Sequence, residues 1–114
     1  MSAADSTQSS GIRHVVNIRL EPDLDDNLRS TLEADLNRLV AAHPHAISAS
    51  LHRDLGRRPA APVTATWLIC MDFASMADFE EYLADPLHTD FLNTHQSSMA
   101  FITAIQVPLA DFAQ

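Results

Sequence analysis

A tyrosine and a histidine lie on either side of a proline in the second half of the chain, at a spacing that could serve chemistry. They are Tyr82 and His88, and Asp85-Pro86 lies between them. A neutral imidazole can accept a proton near pH 7, and a phenol can donate a hydrogen bond to a carbonyl or a developing enolate. These residue types suit acid–base work on a small carbonyl compound, with His88 as general base and Tyr82 as orienting donor.

The Asp85-Pro86 pair decides whether these two side chains can meet. On an unbroken helix, six steps of about 100° would place Tyr82 and His88 on different faces. Aspartate is a good helix cap, and proline suits the first position of a helix. The pair therefore predicts a helix that ends near Ala84 and restarts at once. His88 would be the third residue of the restarted helix, where the helix dipole disfavours imidazolium, and we expect it to be neutral.

An alternative interpretation gives Tyr82 and His88 purely structural roles. Buried tyrosine and histidine side chains commonly hydrogen-bond to the backbone or to each other. In that case the two residues would tie the two helices together, and the chain would be a structural module without a site. The sequence alone leaves both interpretations open.

The elements that would position the pair follow from hydrophobic periodicity. Alternating residues predict strands at 13–20, 46–52, 63–73 and 100–107. Leucines spaced by three or four predict a helix over 24–42, with Asp23 as its cap and Leu24, Leu28, Leu32 and Leu36 on its buried stripe. A Ser75-x-x-Asp78 capping box starts a second helix. The βαββαβ order predicts an α+β, ferredoxin-like fold with an antiparallel four-stranded sheet in the order 4-1-3-2.

One face of the predicted sheet supplies the wall of a candidate pocket. His14, Val16 and Ile18 share a face of the first strand, and Trp67 and Ile69 share a face of the third. We expect these five residues to face the helices and to form a substrate-binding surface around Tyr82 and His88. An apolar cavity with a few polar groups is the usual form of a small-molecule site.

The opposite sheet face predicts a partner. Two helices can cover only one face of a four-stranded sheet. Large bare apolar faces are rare in monomers, and a second sheet is a natural cover. We therefore expect a homodimer. The residues assigned to this face are Val15, Leu68, Cys70, Ile102 and Ala104.

Composition excludes several classes of partner. Seven basic and fifteen acidic residues give a net charge of -8, which argues against nucleic acid and against an anionic membrane surface. The two glycines, Gly11 and Gly56, are too few for a glycine-rich phosphate loop. The single cysteine, Cys70, cannot form an intrachain disulfide, and residues 1–10 do not resemble a signal peptide. We expect a cytoplasmic protein.

We expect no metal and no cofactor. His43-Pro44-His45 offers two loop histidines without a cysteine or carboxylate partner, which is poor evidence for a metal site. The domain is expected to span 12–108, between a disordered tail at 1–11 and a C-terminal tail at 109–114.

Three stretches resemble a known family. They are Arg13-His14-Val15-Val16, Asp72-Phe73-Ala74-Ser75, and the Tyr-x3-Pro-x-His motif from Tyr82 to His88. The chain resembles the stress-responsive A/B barrel family, often shortened to Dabb, over residues 12–108. The resemblance implies two ferredoxin-like subunits whose sheets form a dimeric α+β barrel.

What the resemblance implies about activity is less definite. A plant member of the family cyclises a linear polyketide by aldol condensation, with a tyrosine and a histidine at the positions that match Tyr82 and His88, and a first-strand histidine that matches His14. Most members have no assigned reaction. The expectations are therefore a homodimer that binds a small apolar or carbonyl-bearing molecule, a cofactor-free polyketide cyclase, lyase or isomerase, or a purely structural dimerisation module.

Overall fold

The computed structural model describes residues 11–55 and 67–109. The remaining residues, which include most of the predicted tails at 1–11 and 109–114 and the predicted strand residues 63–66, lie outside the described residues. The elements are β1 (Ile12–Leu20), α1 (Asp26–Ala42), β2 (Ser48–Arg53), β3 (Trp67–Phe73), α2 (Met76–Ala84), α3 (Pro86–His95) and β4 (Met99–Pro108), with a 3-10 turn at Gln96–Ser98. No helix within the described ranges is both long and apolar enough to cross a bilayer.

The four strands form one antiparallel sheet in the order β2-β3-β1-β4. This is the predicted order 4-1-3-2 seen from the other edge, and the ferredoxin-like α+β prediction is confirmed. Strand β1 is central, so its residues are flanked on both sides. His14 lies opposite Met71 of β3 and opposite Gln106 of β4.

The core lies between the helices and one face of the sheet. On β1 and β3 every second residue is buried, as the alternation predicts. Helix α1 buries Leu32, Leu36, Leu39 and Val40 against this face. Its start differs from the prediction: Asp25, not Asp23, caps it, because the Asp25 side chain accepts a hydrogen bond from the N–H of Asn27 at 2.7 Å. Leu28, in the first turn, is 52% exposed and does not belong to the buried stripe.

Two residues of strand β4 lie on the side of the sheet opposite to the one that we predicted. Ile102 and Ala104 pair with Ile18 and Val16, and so they lie on the helix-facing side of the sheet. Their assignment to the bare face was wrong. Both alternating phases of β4 contain apolar residues, so only its register with β1 decides which phase faces the helices. The bare face instead carries Ile105, beside Val15, Leu68 and Cys70.

Gly11 closes the start of the domain. It is buried, its φ is +76°, and a Cβ on it would lie 2.5 Å from the carbonyl oxygen of Phe73. Only glycine fits a position that combines left-handed backbone with so close an approach. The N–H of Leu109 donates to the carbonyl of Gly11 at 3.3 Å, so ordered contacts extend one residue beyond 12–108 at each end.

Candidate functional site

A cavity of about 280 Å³ lies between the helix-facing side of the sheet and helices α2 and α3. Four polar side chains line it: His14, Tyr82, His88 and Gln106. The rest of the wall is apolar. It is formed by Val16, Ile18, Leu39, Ile69, Phe79, Leu83, Phe91, Leu92, Ile102 and Ala104.

The junction between α2 and α3 brings Tyr82 and His88 together. Asp85 ends α2 by donating its N–H to the carbonyl of Tyr82 at 3.1 Å, and its side chain caps α3 by accepting from the N–H of Leu87 at 2.8 Å. Pro86 occupies the first turn of α3, as predicted. The result is that the rings of Tyr82 and His88 lie with their centroids 4.6 Å apart.

The ring of His88 is held in one tautomer. Its Nδ1 lies 3.0 Å from the carbonyl oxygen of Leu83. A carbonyl can only accept, so Nδ1 carries the proton and the lone pair of neutral His88 is on Nε2. Burial lowers the pKa of His88, against smaller opposing effects from the Leu83 carbonyl and the charge of Asp85. His88 is thus favoured in its neutral form, as expected, and burial is the largest cause.

The first-strand histidine has the opposite tautomer. His14 is only 5% exposed, and its Nδ1 accepts a hydrogen bond from Nε2 of Gln106 at 2.9 Å. Its proton is therefore on Nε2, which makes that atom a donor. Burial lowers the pKa of His14 to about 4, with a smaller contribution from the charge of His88. Neutral His14 complements His88 because one ring nitrogen can donate while the other ring can accept.

Tyr82 lies between the two histidines. Its side chain is 3% exposed, and its ring centroid is 6.0 Å from that of His14 and 5.3 Å from that of Phe73. Burial raises the pKa of the Tyr82 phenol above its usual value. The hydroxyl therefore stays protonated across the neutral range and remains a hydrogen-bond donor.

Six of the seven residues predicted for the site line this one cavity: His14, Val16, Ile18, Ile69, Tyr82 and His88. The seventh, Trp67, is placed elsewhere. At the start of β3 it pairs with Arg53, whose guanidinium carbon lies 5.3 Å from the centre of its ring, and it borders a separate pocket beside Asn17, His52 and Leu68. It packs beside β2 and is not among the residues that line the cavity.

Gln106 is the polar residue of the cavity that was not predicted from the sequence. It follows Ile102 and Ala104 in the same phase of β4, and so the error in assigning that phase also concealed Gln106. The sequence does contain a sign of it: Gln106 is a polar residue two positions after Ala104, and so it lies on the same face of β4. One of the two loop histidines, His45, contacts acidic side chains of α2 and of the α2–α3 junction. Across 11–55 and 67–109, no group of three or more histidine, cysteine, aspartate or glutamate residues is arranged to hold a metal.

Besides the amide of Gln106, the cavity therefore offers two donors and one acceptor within an apolar wall. The donors are the hydroxyl of Tyr82 and Nε2–H of His14, and the acceptor is Nε2 of His88. A carbonyl oxygen can accept from the donors while the acceptor takes a proton from a neighbouring atom of the same ligand.

Comparison with known families decides the affiliation. The model of the Stress responsive A/B Barrel Domain matches residues 12–108. The chain belongs to the stress-responsive A/B barrel family. The match confirms the resemblance carried by the three sequence stretches and covers the residues that line the cavity. A comparison with curated proteins finds no match.

Solved structures similar to this A/B barrel chain share its fold over most of their length. One is a dimeric ferredoxin-like protein of unknown function from Thermobifida fusca, with 24% identity, a TM-score of 0.73, and coverage of 90% of this chain and 93% of that one. Another is a hydroxynitrile lyase from Passiflora edulis, with 20% identity, a TM-score of 0.74, and coverage of 93% and 99%. A Dabb family protein from Mesorhizobium loti has 20% identity, a TM-score of 0.68, and coverage of 88% and 99%. At these identities the likeness concerns the fold alone.

Proposed function

We propose that this A/B barrel protein binds a small, largely apolar, carbonyl-bearing molecule in the cavity beside Tyr82 and His88. The observation that carries the proposal is the single cavity in which His14, Tyr82 and His88 line an otherwise apolar wall. A purely structural module would be expected to pack its helices solidly against the sheet here. The cavity therefore favours a site over the structural alternative.

The polar groups would orient the ligand, and the apolar wall would supply most of the affinity. Removing apolar ligand surface from water is favourable in proportion to its area. Donors inside a buried site discriminate strongly, because a ligand without an acceptor leaves them unpaired. The preferred ligand thus has one carbonyl that reaches Tyr82 and His14, and an apolar body that contacts residues such as Phe91 and Ile102.

The binding proposal is tested by filling the cavity. Ile102→Trp places a larger side chain in the cavity wall, whereas Ile47→Trp makes the same change at an exposed position outside it. Binding of a panel of aromatic ketones and alkyl ketones is measured by calorimetry. We expect the parent and Ile47→Trp to bind the same ketones and Ile102→Trp to lose them. Equal binding by all three proteins would place the ligand elsewhere.

A second candidate function is a cofactor-free cyclase, lyase or isomerase. The specific observation that favours it is the hydrogen bond from Nδ1 of His88 to Leu83, which leaves Nε2 as a base beside the Tyr82 ring. The similar structure from Passiflora edulis is named a hydroxynitrile lyase, which is compatible with a lyase on this fold.

The reaction that suits the geometry begins with proton transfer. Nε2 of His88 removes a proton from the carbon next to the ligand carbonyl, and the electron pair of the broken C–H bond forms an enolate. Tyr82 donates a hydrogen bond to the enolate oxygen. The enolate carbon then attacks a second carbonyl carbon of the same ligand molecule, and a C–C bond forms. The imidazolium of His88 returns the proton to the new alkoxide.

Two substitutions separate enzyme from binder. His88→Gln removes the base and Tyr82→Phe removes the donor. Linear polyketide thioesters and cyanohydrins are incubated with each protein, and the products are compared by chromatography. Catalysis requires that the parent accelerate at least one of these reactions and that His88→Gln abolish the acceleration. Identical product profiles from all three proteins and from buffer would reject the enzyme.

We also propose that the protein is a homodimer. The bare sheet face carries Val15, Leu68, Cys70 and Ile105, and Ile105 is 59% exposed. The similar structure from Thermobifida fusca is described as dimeric, which supports a second copy as the cover. Light scattering at micromolar concentration tests the proposal. A monomer would contradict it, and Ile105→Asp is expected to convert the dimer to monomer.

A cytoplasmic location is proposed from cysteine content. The only cysteine of the chain is Cys70, so the fold forms no intrachain disulfide, as is usual in reducing compartments. Fractionation of cells that produce the tagged protein tests this. Recovery outside the cytoplasmic fraction would contradict it.

A further inference from the structure

The carboxylate of Asp85 is shared between two partners. One oxygen, Oδ1, accepts from the N–H of Leu87 and caps α3. The other, Oδ2, lies 3.1 Å from Nε2 of His45, which is 40 residues earlier in the chain. The second ring nitrogen of His45 lies 3.5 Å from a carboxylate oxygen of Glu81 on α2. His45 thus contacts both α2 and the point where α3 begins.

His45 lies in a turn that is anchored to the sheet. The N–H of Ala46 donates to the carbonyl of His43 at 3.1 Å, and the N–H of Ile47 donates to the carbonyl of Asp72, at the end of β3, at 2.7 Å. His45 itself has a φ of +67°. Non-glycine residues in this left-handed region are uncommon and persist where their surroundings hold them. The turn is therefore suited to fix whatever His45 contacts.

We propose that His45 is a positioning residue of the cavity: by holding the Asp85 carboxylate against the turn between α1 and β2, it sets the placement of Tyr82 relative to His88. Asp85 is bonded to the backbone of both. Its N–H donates to the carbonyl of Tyr82 at 3.1 Å, and its carbonyl accepts from the N–H of His88 at 2.9 Å. Because both hydrogen bonds involve the backbone of Asp85, a shift of that backbone moves both residues at once.

The junction needs such a support because the helices that meet there are short. Helix α2 has nine residues and α3 has ten, and helices of this length are marginal without tertiary contacts. An unsupported Asp85 side chain can rotate away from Leu87 and release the cap. The contact from His45 restricts that rotation by engaging the oxygen that Leu87 does not use. An effect of His45 on ligand affinity rests on the function proposed above. An effect of His45 on the placement of Tyr82 relative to His88 does not.

The test compares two substitutions of His45 by NMR in the absence of ligand. His45→Asn retains tolerance for the left-handed backbone but is too short to reach Asp85, and His45→Gln retains a donor at the reach of Nε2. In His45→Asn, we expect weaker cross-relaxation between the ring protons of Tyr82 and His88, and loss of the distinct ¹⁵N shifts of His88 Nδ1 and Nε2. His45→Gln is expected to restore both signals.

The Asp85→Ser background shows whether the effect passes through the carboxylate. Serine keeps one capping oxygen for Leu87 but lacks the oxygen that His45 contacts, so adding His45→Asn there should change neither signal. His52→Ala is the matched control, because His52 is an exposed histidine bonded to Ser50. The proposal would be overturned if His45→Asn left the His88 signals unchanged. It would also be overturned if His45→Asn weakened these signals equally in the parent and in the Asp85→Ser background.

Ligand binding provides the second readout. For a ketone that the parent binds, His45→Asn is expected to weaken affinity roughly two- to fivefold, because a partly exposed contact between a histidine and a carboxylate contributes only modestly. If His88 loses its tautomer preference while no ketone binds even the parent, the positioning role stands and the proposed function fails. If ketones bind the parent and His45→Asn equally, with unchanged His88 signals, the function stands and the positioning role fails.

Discussion

Tyr82 and His88 lie with their ring centroids 4.6 Å apart because the helix that carries them ends and restarts at Asp85. An uninterrupted helix would point them in different directions. The break also frees the carbonyl of Leu83, which accepts the Nδ1 proton of His88. One local backbone feature thus sets both the distance between the two rings and the nitrogen on which His88 carries its lone pair.

The cap at this junction should matter for binding as well as for stability. Asp85→Ala removes the acceptor for Leu87, and Asp25→Ala removes the equivalent acceptor for Asn27 at the start of α1. Each substitution is expected to reduce the free energy of unfolding by about 1 kcal/mol in urea denaturation, because both residues are aspartate N-caps. Only Asp85→Ala is expected to weaken ketone binding. Equal losses of affinity would mean that binding reports general stability rather than the junction.

Gln106 should determine the tautomer of His14. In Gln106→Glu the carboxylate can only accept, so the proton of His14 is expected to move to Nδ1 and Nε2 to become an acceptor. ¹⁵N shifts of the His14 ring measure this change directly. Ligand carbonyls would then lose one donor, and their affinity should fall. Gln96→Glu, at an exposed position in the 3-10 turn, is the charge-matched control; a shift of the His14 resonances there would indicate a nonspecific charge effect.

Stability should depend on pH through His14. Its pKa in the folded protein is lowered to about 4 from an ordinary value of 6.5, so the unfolded chain binds more protons between these values and stability falls as the pH drops through this window. The loss from this residue is up to about 3 kcal/mol. His88 acts in the same direction because its pKa is also lowered. The pKa values of Asp35 and Asp72 are also lowered, from an ordinary value of 3.8. These two carboxyls therefore reduce stability only at more acidic pH, where they become protonated.

Urea denaturation between pH 4 and pH 7 checks this dependence. His14→Gln keeps an acceptor for Gln106 but cannot titrate, and it is expected to flatten the slope between pH 4 and pH 6.5. His52→Ala, which removes an exposed histidine, serves as the control. A parent protein whose free energy of unfolding is constant across this window would contradict the burial of a neutral His14.

A second buried histidine should be important for stability alone. The side chain of His95 is 3% exposed, and its Nε2 lies 2.7 Å from Oδ2 of Asp35 on α1. Asp35→Ala leaves that nitrogen without its partner, at a cost of about 1–3 kcal/mol. Denaturant unfolding measures the loss. Asp90→Ala, an exposed change on the same helix as His95, should cost little; a comparable loss there would show that helix charge is the cause.

Much of the fold could be predicted because its signals are local. Alternation on β1 and β3, the leucine spacing of α1 and the Asp85-Pro86 restart each depend on a few neighbouring residues, and each is present in the structure. The βαββαβ order then leaves few ways to pair four strands. Six of the seven proposed site residues meet in one cavity for the same reason, since they lie on faces that the local period identifies.

The features that escaped prediction depend on contacts between distant residues. Register with β1 turned Ile102 and Gln106 toward the helices, although both phases of β4 contain apolar residues. Trp67 lies against Arg53 of β2 and borders a different pocket. The partnership of His45 with Asp85 joins residues 40 positions apart, which no periodicity reveals.

The sequence by itself determined which elements form, where the second helical segment breaks, and which residue types could do chemistry there. Only the tertiary structure decided the direction of each side chain on the edge strand, the tautomers of His14 and His88, and the cause of the lowered pKa of His88. The physical reason is that helix caps and hydrophobic period act within a few residues, whereas burial and hydrogen-bond partners are properties of the packed chain.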